Sequence, residues 1–140
     1  MMFNKSTKED KKSIKHFYKR ERYSASFMGY DHCYTATYNN EIIGSVILSY
    51  INKTNKYALL HALYMSPLYR NNGYANELIN HACNGHKNVV CFADKSLEGF
   101  YKNNGFINTS SDGIPLYLQQ RFNRYTIKNC HLTVYIKKSL

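Results

Sequence analysis

The sequence predicts an α+β protein in which at least one central strand is covered by helices on both sides. Three observations carry this. Tyr57–Met65 is an apolar strand that breaks at Ser66-Pro67, passes a glycine-bearing turn and continues as an amphipathic helix. His32–Tyr38 and Glu41–Ile51 read as strands around a tight Asn39-Asn40 turn, a hairpin signal. The second of these strands is apolar on both alternations, with Ile43, Ile47 and Ile51 on one and Ile42, Val46 and Leu48 on the other.

In chain order, Met2–Lys5 reads as a short first strand. Thr7 is a candidate N-cap, with Glu9 and Asp10 in the first turn where the helix dipole favours negative charge. The helix that follows carries Ile14, Phe17 and Tyr18 on one face, and Glu21–Gly29 is expected to be irregular or short. Asn52–Lys56 is a polar turn. After the glycine turn, Ala75, Leu78, Ile79 and Ala82 form one helical stripe, which stops at Asn84-Gly85. Asn88–Ala93 has the length and β-branching of a buried strand. Asp94 or Ser96 can cap the next helix, which ends at Asn104-Gly105. Ser110–Gly113 reads as a loop, and Pro115–Gln120 and Tyr125–Lys137 as two further strands, the last with a turn-prone Lys128-Asn129 inside it.

Bulk properties narrow the function. A chain of 140 residues with 44% hydrophobic content is expected to form one domain, residues 1–140, around a single core. The start, MMFNKSTKEDKK, has no signal-peptide core, and Ile42–Ile51 is too short and too interrupted by serine to span a bilayer. The expectation is a cytoplasmic protein without a membrane partner. Cys33, Cys83, Cys91 and Cys130 form no C-x-x-C pair and are expected to be buried thiols, three on strands and Cys83 on a helix. The histidines show no metal spacing, so no metal is expected. Nineteen Lys and Arg against nine Asp and Glu give a formal charge of +10. That balance suits an anionic partner, or simply a solvated helix face, since much of it sits in Lys5–Arg22. A nucleic-acid partner is not expected, because no such motif accompanies the charge and the tyrosines are dispersed through strands.

The glycine turn is the most specific signal. Arg70-Asn71-Asn72-Gly73-Tyr74-Ala75 joins an apolar strand to a helix, so unpartnered backbone N–H groups and the helix dipole meet at a residue that lets a ligand approach closely. Arg-x-x-Gly-x-Ala followed by Leu78-Ile79 resembles the coenzyme A loop of the GNAT (general control N-acetyltransferase-like) superfamily. Phe100-Tyr101-Lys102-Asn103-Asn104-Gly105-Phe106 resembles that family's Phe-Tyr-x-x-x-Gly-Phe motif at a suitable distance. The likeness covers about residues Met2 to Phe106. It implies the GNAT fold: an α/β/α-layered, mixed and mainly antiparallel sheet with helices on both faces and a donor cleft between two splayed central strands. It also implies acetyl-CoA as donor substrate and a primary amine of a small molecule or peptide as acceptor. A homodimer is left open.

The resemblance assigns residues. Arg70, Asn71, Asn72, Gly73, Tyr74 and Ala75 are expected at the pyrophosphate, and Leu63, Tyr64 and Met65 beside the pantetheine arm. Tyr101 matches the tyrosine that protonates the departing thiolate in many members; its alternative is packing beside Phe100. Many relatives carry a glutamate on the central strand as general base. Here no acid lies between Lys56 and Arg70, and His61 stands in that place, with an ordinary pKa suited to a base. A histidine satisfied by a neighbour, or a water chain, is the competing reading. The competing function is an acyl-CoA-sensing module that regulates a protein partner without turnover.

Overall fold

The computed structural model describes residues 1–139. Among them, seven strands form one sheet in the order β1-β2-β3-β4-β5-β7-β6. They are β1 Met2–Lys5, β2 Tyr30–Tyr38, β3 Glu41–Tyr50, β4 Tyr57–Met65, β5 Asn88–Asp94, β6 Ile107–Thr109 and β7 Leu132–Lys138. The helices are α1 Lys11–Arg20, α2 Tyr74–Cys83, α3 Glu98–Asn103 and α4 Leu116–Lys128. Every neighbouring pair of strands is antiparallel except β4 and β5, which run parallel. The sheet is therefore mixed and mainly antiparallel, as expected.

Local chemistry explains the elements. Asn39 and Asn40 both adopt left-handed backbone, at φ 50° and 63°, which gives the twist a two-residue hairpin needs. The Asp10 carboxylate accepts a 2.8 Å hydrogen bond from the Thr7 N–H at the start of the first helical turns. Ile14, Phe17 and Tyr18 then bury one face of α1 against Cys33, Ile47 and Ala62. Leu78, Ile79 and Ala82 of α2, with Tyr101 of α3, pack on the opposite sheet face against Leu48, Leu60 and Cys91. Glu21–Gly29 holds no helix or strand.

Two expectations fail. Pro115–Gln120 is not a strand; Leu116–Lys128 is α4, and the last strand begins only at Leu132. The overlooked signal is a stripe at Ile114, Leu118, Phe122 and Tyr125, spaced as a helix repeats. Ile114 and Leu118 pack with Leu59, Val90 and Ile136, and Phe122 and Tyr125 lie 5.1 and 5.9 Å from Phe92. Pro115 opens the helix, its carbonyl accepting from Leu118 and Gln119. Cys130 is the second correction: it is exposed, because it falls in the turn between α4 and β7, whereas Cys33, Cys83 and Cys91 are buried.

One irregularity sets up the site. β3 pairs with β4 through Gly44↔Met65 and Ser45↔Tyr64, then shifts by one at Ile47↔His61. The extra residue is a bulge at Ala62, whose φ is +57°. For a residue with a Cβ this is strained backbone, costing about 1–3 kcal/mol.

Candidate active site

β4 and β5 pair only from Tyr57↔Asn88 to Leu60↔Cys91. Beyond the bulge the strands part, so the β5-facing edge of Ala62–Met65 has no strand partner. β5 keeps a partner there, since β7 pairs with it as far as Asp94↔Leu132. The gap is a cleft of about 500 Å³ whose walls include Leu63, Tyr64 and Met65 of β4 and Leu97, Phe100 and Tyr101 around α3. No carboxylate lines it. A ligand arm laid along Leu63–Met65 would meet backbone groups left free by the splay.

The glycine turn closes one end. Arg70, Asn71, Gly73, Tyr74 and Ala75 all line the cleft. Asn72 does not; it is exposed, and its side chain donates to the Arg70 carbonyl at 3.0 Å, tightening the turn. Asn71 at φ +65° and Gly73 at φ +79° both adopt left-handed backbone. A Cβ at Gly73 would meet no protein atom within 4 Å, so its space belongs to the open cleft. Gly73 is the N-cap of α2, with no side-chain cap, and the first intrahelical bond runs from Glu77 to the Gly73 carbonyl. The Tyr74, Ala75 and Asn76 N–H groups therefore have no partner inside the helix. With the dipole behind them they present free donors and positive potential to the cleft. Arg70 is turned back onto β4: its Nε donates to the Met65 carbonyl at 2.9 Å and its guanidinium lies 5.0 Å from the Tyr64 ring centre. That fixes the charge at the mouth of the turn.

Tyr101 lies 5% exposed in the cleft wall, stacked on Tyr135 with centroids 5.0 Å apart. Burial, the Cys91 thiol and a hydrogen bond with it push the Tyr101 hydroxyl well above the usual tyrosine range. Burial also pushes Cys91 up to about 12. Tyr101 thus keeps its proton and has it to donate.

His61 lies on the other sheet face. The bulge turns both His61 and Ala62 to that side, where Tyr18 Oη donates to the Ala62 carbonyl at 2.7 Å. His61 Nε2 is 2.7 Å from Ser49 Oγ, and Ser49 donates its one proton to Asp31. Asp31 also accepts from the Met28 and Gly29 N–H groups. Burial works against its charge, but these bonds outweigh it and hold the carboxyl below the usual range. Because the Ser49 proton is taken, Ser49 must accept from His61, which places the imidazole proton on Nε2 and the lone pair on Nδ1. Burial pushes the His61 pKa down to about 4, with Asp31 pulling upward and Arg121 downward.

The structure thus gathers eight of the nine proposed donor-binding residues and Tyr101 at one cleft, with His61 behind its β4 wall. Asp31, Ser49 and Tyr18 were missed. No local motif marks them, since they reach β4 across strands and from α1.

Comparison with known proteins identifies the family. Residues 2–106 match the Acetyltransferase (GNAT) family. The chain belongs to the GNAT family. Among solved structures it is similar to N-acetylglutamate synthase from Neisseria gonorrhoeae in complex with coenzyme A and N-acetyl-glutamate, with a TM-score of 0.69 at 13% identity. That match covers 98% of this chain and 34% of the synthase chain, so the protein spans about a third of that relative. It is also similar to a Vibrio cholerae spermidine N-acetyltransferase chimera, with a TM-score of 0.68 at 12% identity, covering 99% of this chain and 96% of the other. A GNAT-family acetyltransferase from Staphylococcus aureus Mu50 matches with a TM-score of 0.64 at 16% identity over 98% of both chains. No curated protein matches the sequence. The fold and the family's donor, acetyl-CoA, agree with the cleft, and no cluster of metal ligands occurs among the described residues.

Proposed function

We propose that the described chain acts as one N-acetyltransferase domain that moves the acetyl group of acetyl-CoA to a primary amine by direct attack. The observation that carries this is the uncapped N-terminus of α2 at one end of a cleft whose long wall is the unpaired edge of β4. Acetyl-CoA supplies an activated carbonyl and a thiolate leaving group. The α2 N–H groups hold the pyrophosphate, and Leu63–Met65 hold the arm and orient the carbonyl. His61 Nδ1 accepts the proton lost by the attacking amine. The imidazolium formed is stabilised through Ser49 by Asp31. As the C–S bond breaks, Tyr101 donates its hydroxyl proton to the sulfur and regains one from solvent.

The acceptor is proposed to carry a negative group beside its amine, such as an amino acid or an acidic peptide N-terminus. The two neighbours with named acceptor chemistry are a synthase bound to N-acetyl-glutamate and a spermidine acetyltransferase, so the fold alone does not choose. A cleft without carboxylates, Arg121 close enough to act on His61 and a charge of +10 favour the anion. A cytoplasmic setting is proposed from the buried free thiols Cys33, Cys83 and Cys91.

The test is release of CoA thiol over a panel of amino acids, acidic peptides and polyamines. Turnover fastest with an acidic amine is expected. Spermidine outpacing every acidic amine would overturn the acceptor assignment. Acetyl-CoA binding with no thiol release from any amine would favour the sensing module instead.

A further inference from the structure

The other end of the sheet carries a second cavity. The start of β2, the end of β3, the turn before β4, the start of β5 and the turn after α2 surround about 590 Å³. A smaller lobe of about 340 Å³ continues it, the two sharing His32, Tyr50 and Gly85. The cavity lies at the Tyr57 end of β4, whereas the acetyl-CoA cleft lies at the Met65 end. Eight residue steps at ~3.3 Å put the two ends roughly 26 Å apart, so an anion here is not the one held by the N-terminus of α2.

The charged groups of the lining are all cations. Lys53, Lys56 and Lys87 line the large lobe and Lys5 the small one, while no Asp or Glu lines either. None of the four lysines joins an ion pair among the described residues. The Asn55 side-chain N–H₂ group, also in the lining, is buried without an acceptor. His86 is buried between two tyrosines, with Nε2 2.8 Å from Tyr34 Oη and Nδ1 2.7 Å from Tyr50 Oη. Burial pushes it down to about 4, helped by His32 and Lys5, so the ring is neutral. A neutral imidazole has one donor and one acceptor. One tyrosine therefore donates to it, and the other accepts and keeps a free hydroxyl proton. Unpaired ammonium groups, a spare hydroxyl donor and no carboxylate favour a ligand that carries negative charge and accepts hydrogen bonds. The volume suits a small molecule.

We propose that this cavity binds a small phosphorylated ligand with at least two negative charges, at a site separate from that of acetyl-CoA. This explains part of the basic surplus that the donor cleft, with Arg70 alone, does not use. It does not depend on turnover.

The test is calorimetric titration of pyrophosphate into the full chain saturated with acetyl-CoA, so that the cleft is occupied. One site per chain is expected, weakening as salt rises. Lys53→Gln with Lys87→Gln should weaken it about tenfold or more, as loss of two charge-assisted contacts implies. Lys12→Gln with Lys128→Gln, which removes the same charge elsewhere, should leave it nearly unchanged. Without acetyl-CoA, Gly73→Val should still bind pyrophosphate. No saturable binding, equal loss in both lysine pairs, or binding abolished by Gly73→Val and kept in Lys53→Gln with Lys87→Gln would each overturn the proposal. The last result would place the anion in the donor cleft.

Discussion

Tyr18 Oη donates to the Ala62 carbonyl at 2.7 Å, tying α1 to the residue of β4 whose backbone is left-handed. The bond links the helix that covers the sheet to the bulge that parts β4 from β5. Tyr18→Phe keeps the ring, buried at 3% exposure, and leaves the carbonyl without that donor. A loss of about 1–3 kcal/mol is expected, read as a lower denaturation midpoint. Because the bulge also aligns Leu63–Met65, acetyl-CoA affinity should weaken as well. An unchanged affinity at reduced stability would confine Tyr18 to the core.

Asp31 is expected to act through His61. Asp31→Asn supplies an N–H donor to Ser49, frees the Ser49 proton for His61 Nε2 and moves the imidazole proton to Nδ1. The lone pair then points the wrong way. kcat should fall by about 10²–10⁴-fold with acetyl-CoA affinity unchanged. In the wild type, kcat/KM should show no ionisation near pH 6.5 from His61, since its pKa is about 4. A clear inflection at the ordinary histidine value, absent in His61→Gln, would contradict the buried geometry.

Tyr101→Phe retains the stack on Tyr135 and removes the proton. The expected outcome is a kcat lowered by about 10²–10⁴-fold with acetyl-CoA affinity and melting temperature almost unmoved. Steady-state kinetics on any working acceptor decide this. A change of about twofold or less, well below general-acid magnitudes, would make Tyr101 a packing residue.

Acetyl-CoA should stabilise the fold by RT ln(1 + [L]/Kd), about 2.7 kcal/mol at a hundredfold excess over Kd. Gly73→Val strains a φ of +79° and fills the open space before the α2 N–H groups. The variant should melt lower and lose most of the ligand-induced shift. Thermal melts with and without acetyl-CoA compare the two, and equal shifts would remove the site assignment.

Stability should fall in mild acid. His61 and His86 titrate near 4 in the fold and near 6.5 when unfolded. Between those values the unfolded chain binds protons that the folded chain refuses, so stability rises with pH there. It is fully present above about pH 6.5 and is lost as pH falls through about 4. Urea midpoints across this range test the sign; a midpoint that climbs on acidification would contradict it.

The sequence was legible where one segment carries its own instruction. The Asn39-Asn40 hairpin, the α2 stripe and the Arg70–Ala75 turn each depend on neighbours in the chain. α4 was misread because its aromatics suit strands by propensity, while the spacing of Leu118, Phe122 and Tyr125 suits a helix, and packing on Phe92 follows the spacing. The relay to His61 was illegible for another reason. Asp31, Ser49 and His61 meet only after β2, β3 and β4 pair in register, with a bulge that neither Ala62 nor its neighbours announce.

The position of β7 bears on how binding competence arises. β5 leads into the α3 wall of the cleft opposite β4, yet beyond Cys91 its hydrogen-bonding partner is β7, some forty residues later in the sequence. Until Leu132–Lys138 docks, Phe92–Asp94 is a loose strand end, and the cleft has one rigid wall. Such a long-range pairing is among the slower events of folding. Capture of acetyl-CoA during refolding should therefore track closure of the sheet by β7. Formation of the β2–β3 hairpin should precede it, which makes the donor a reporter on the final step of assembly.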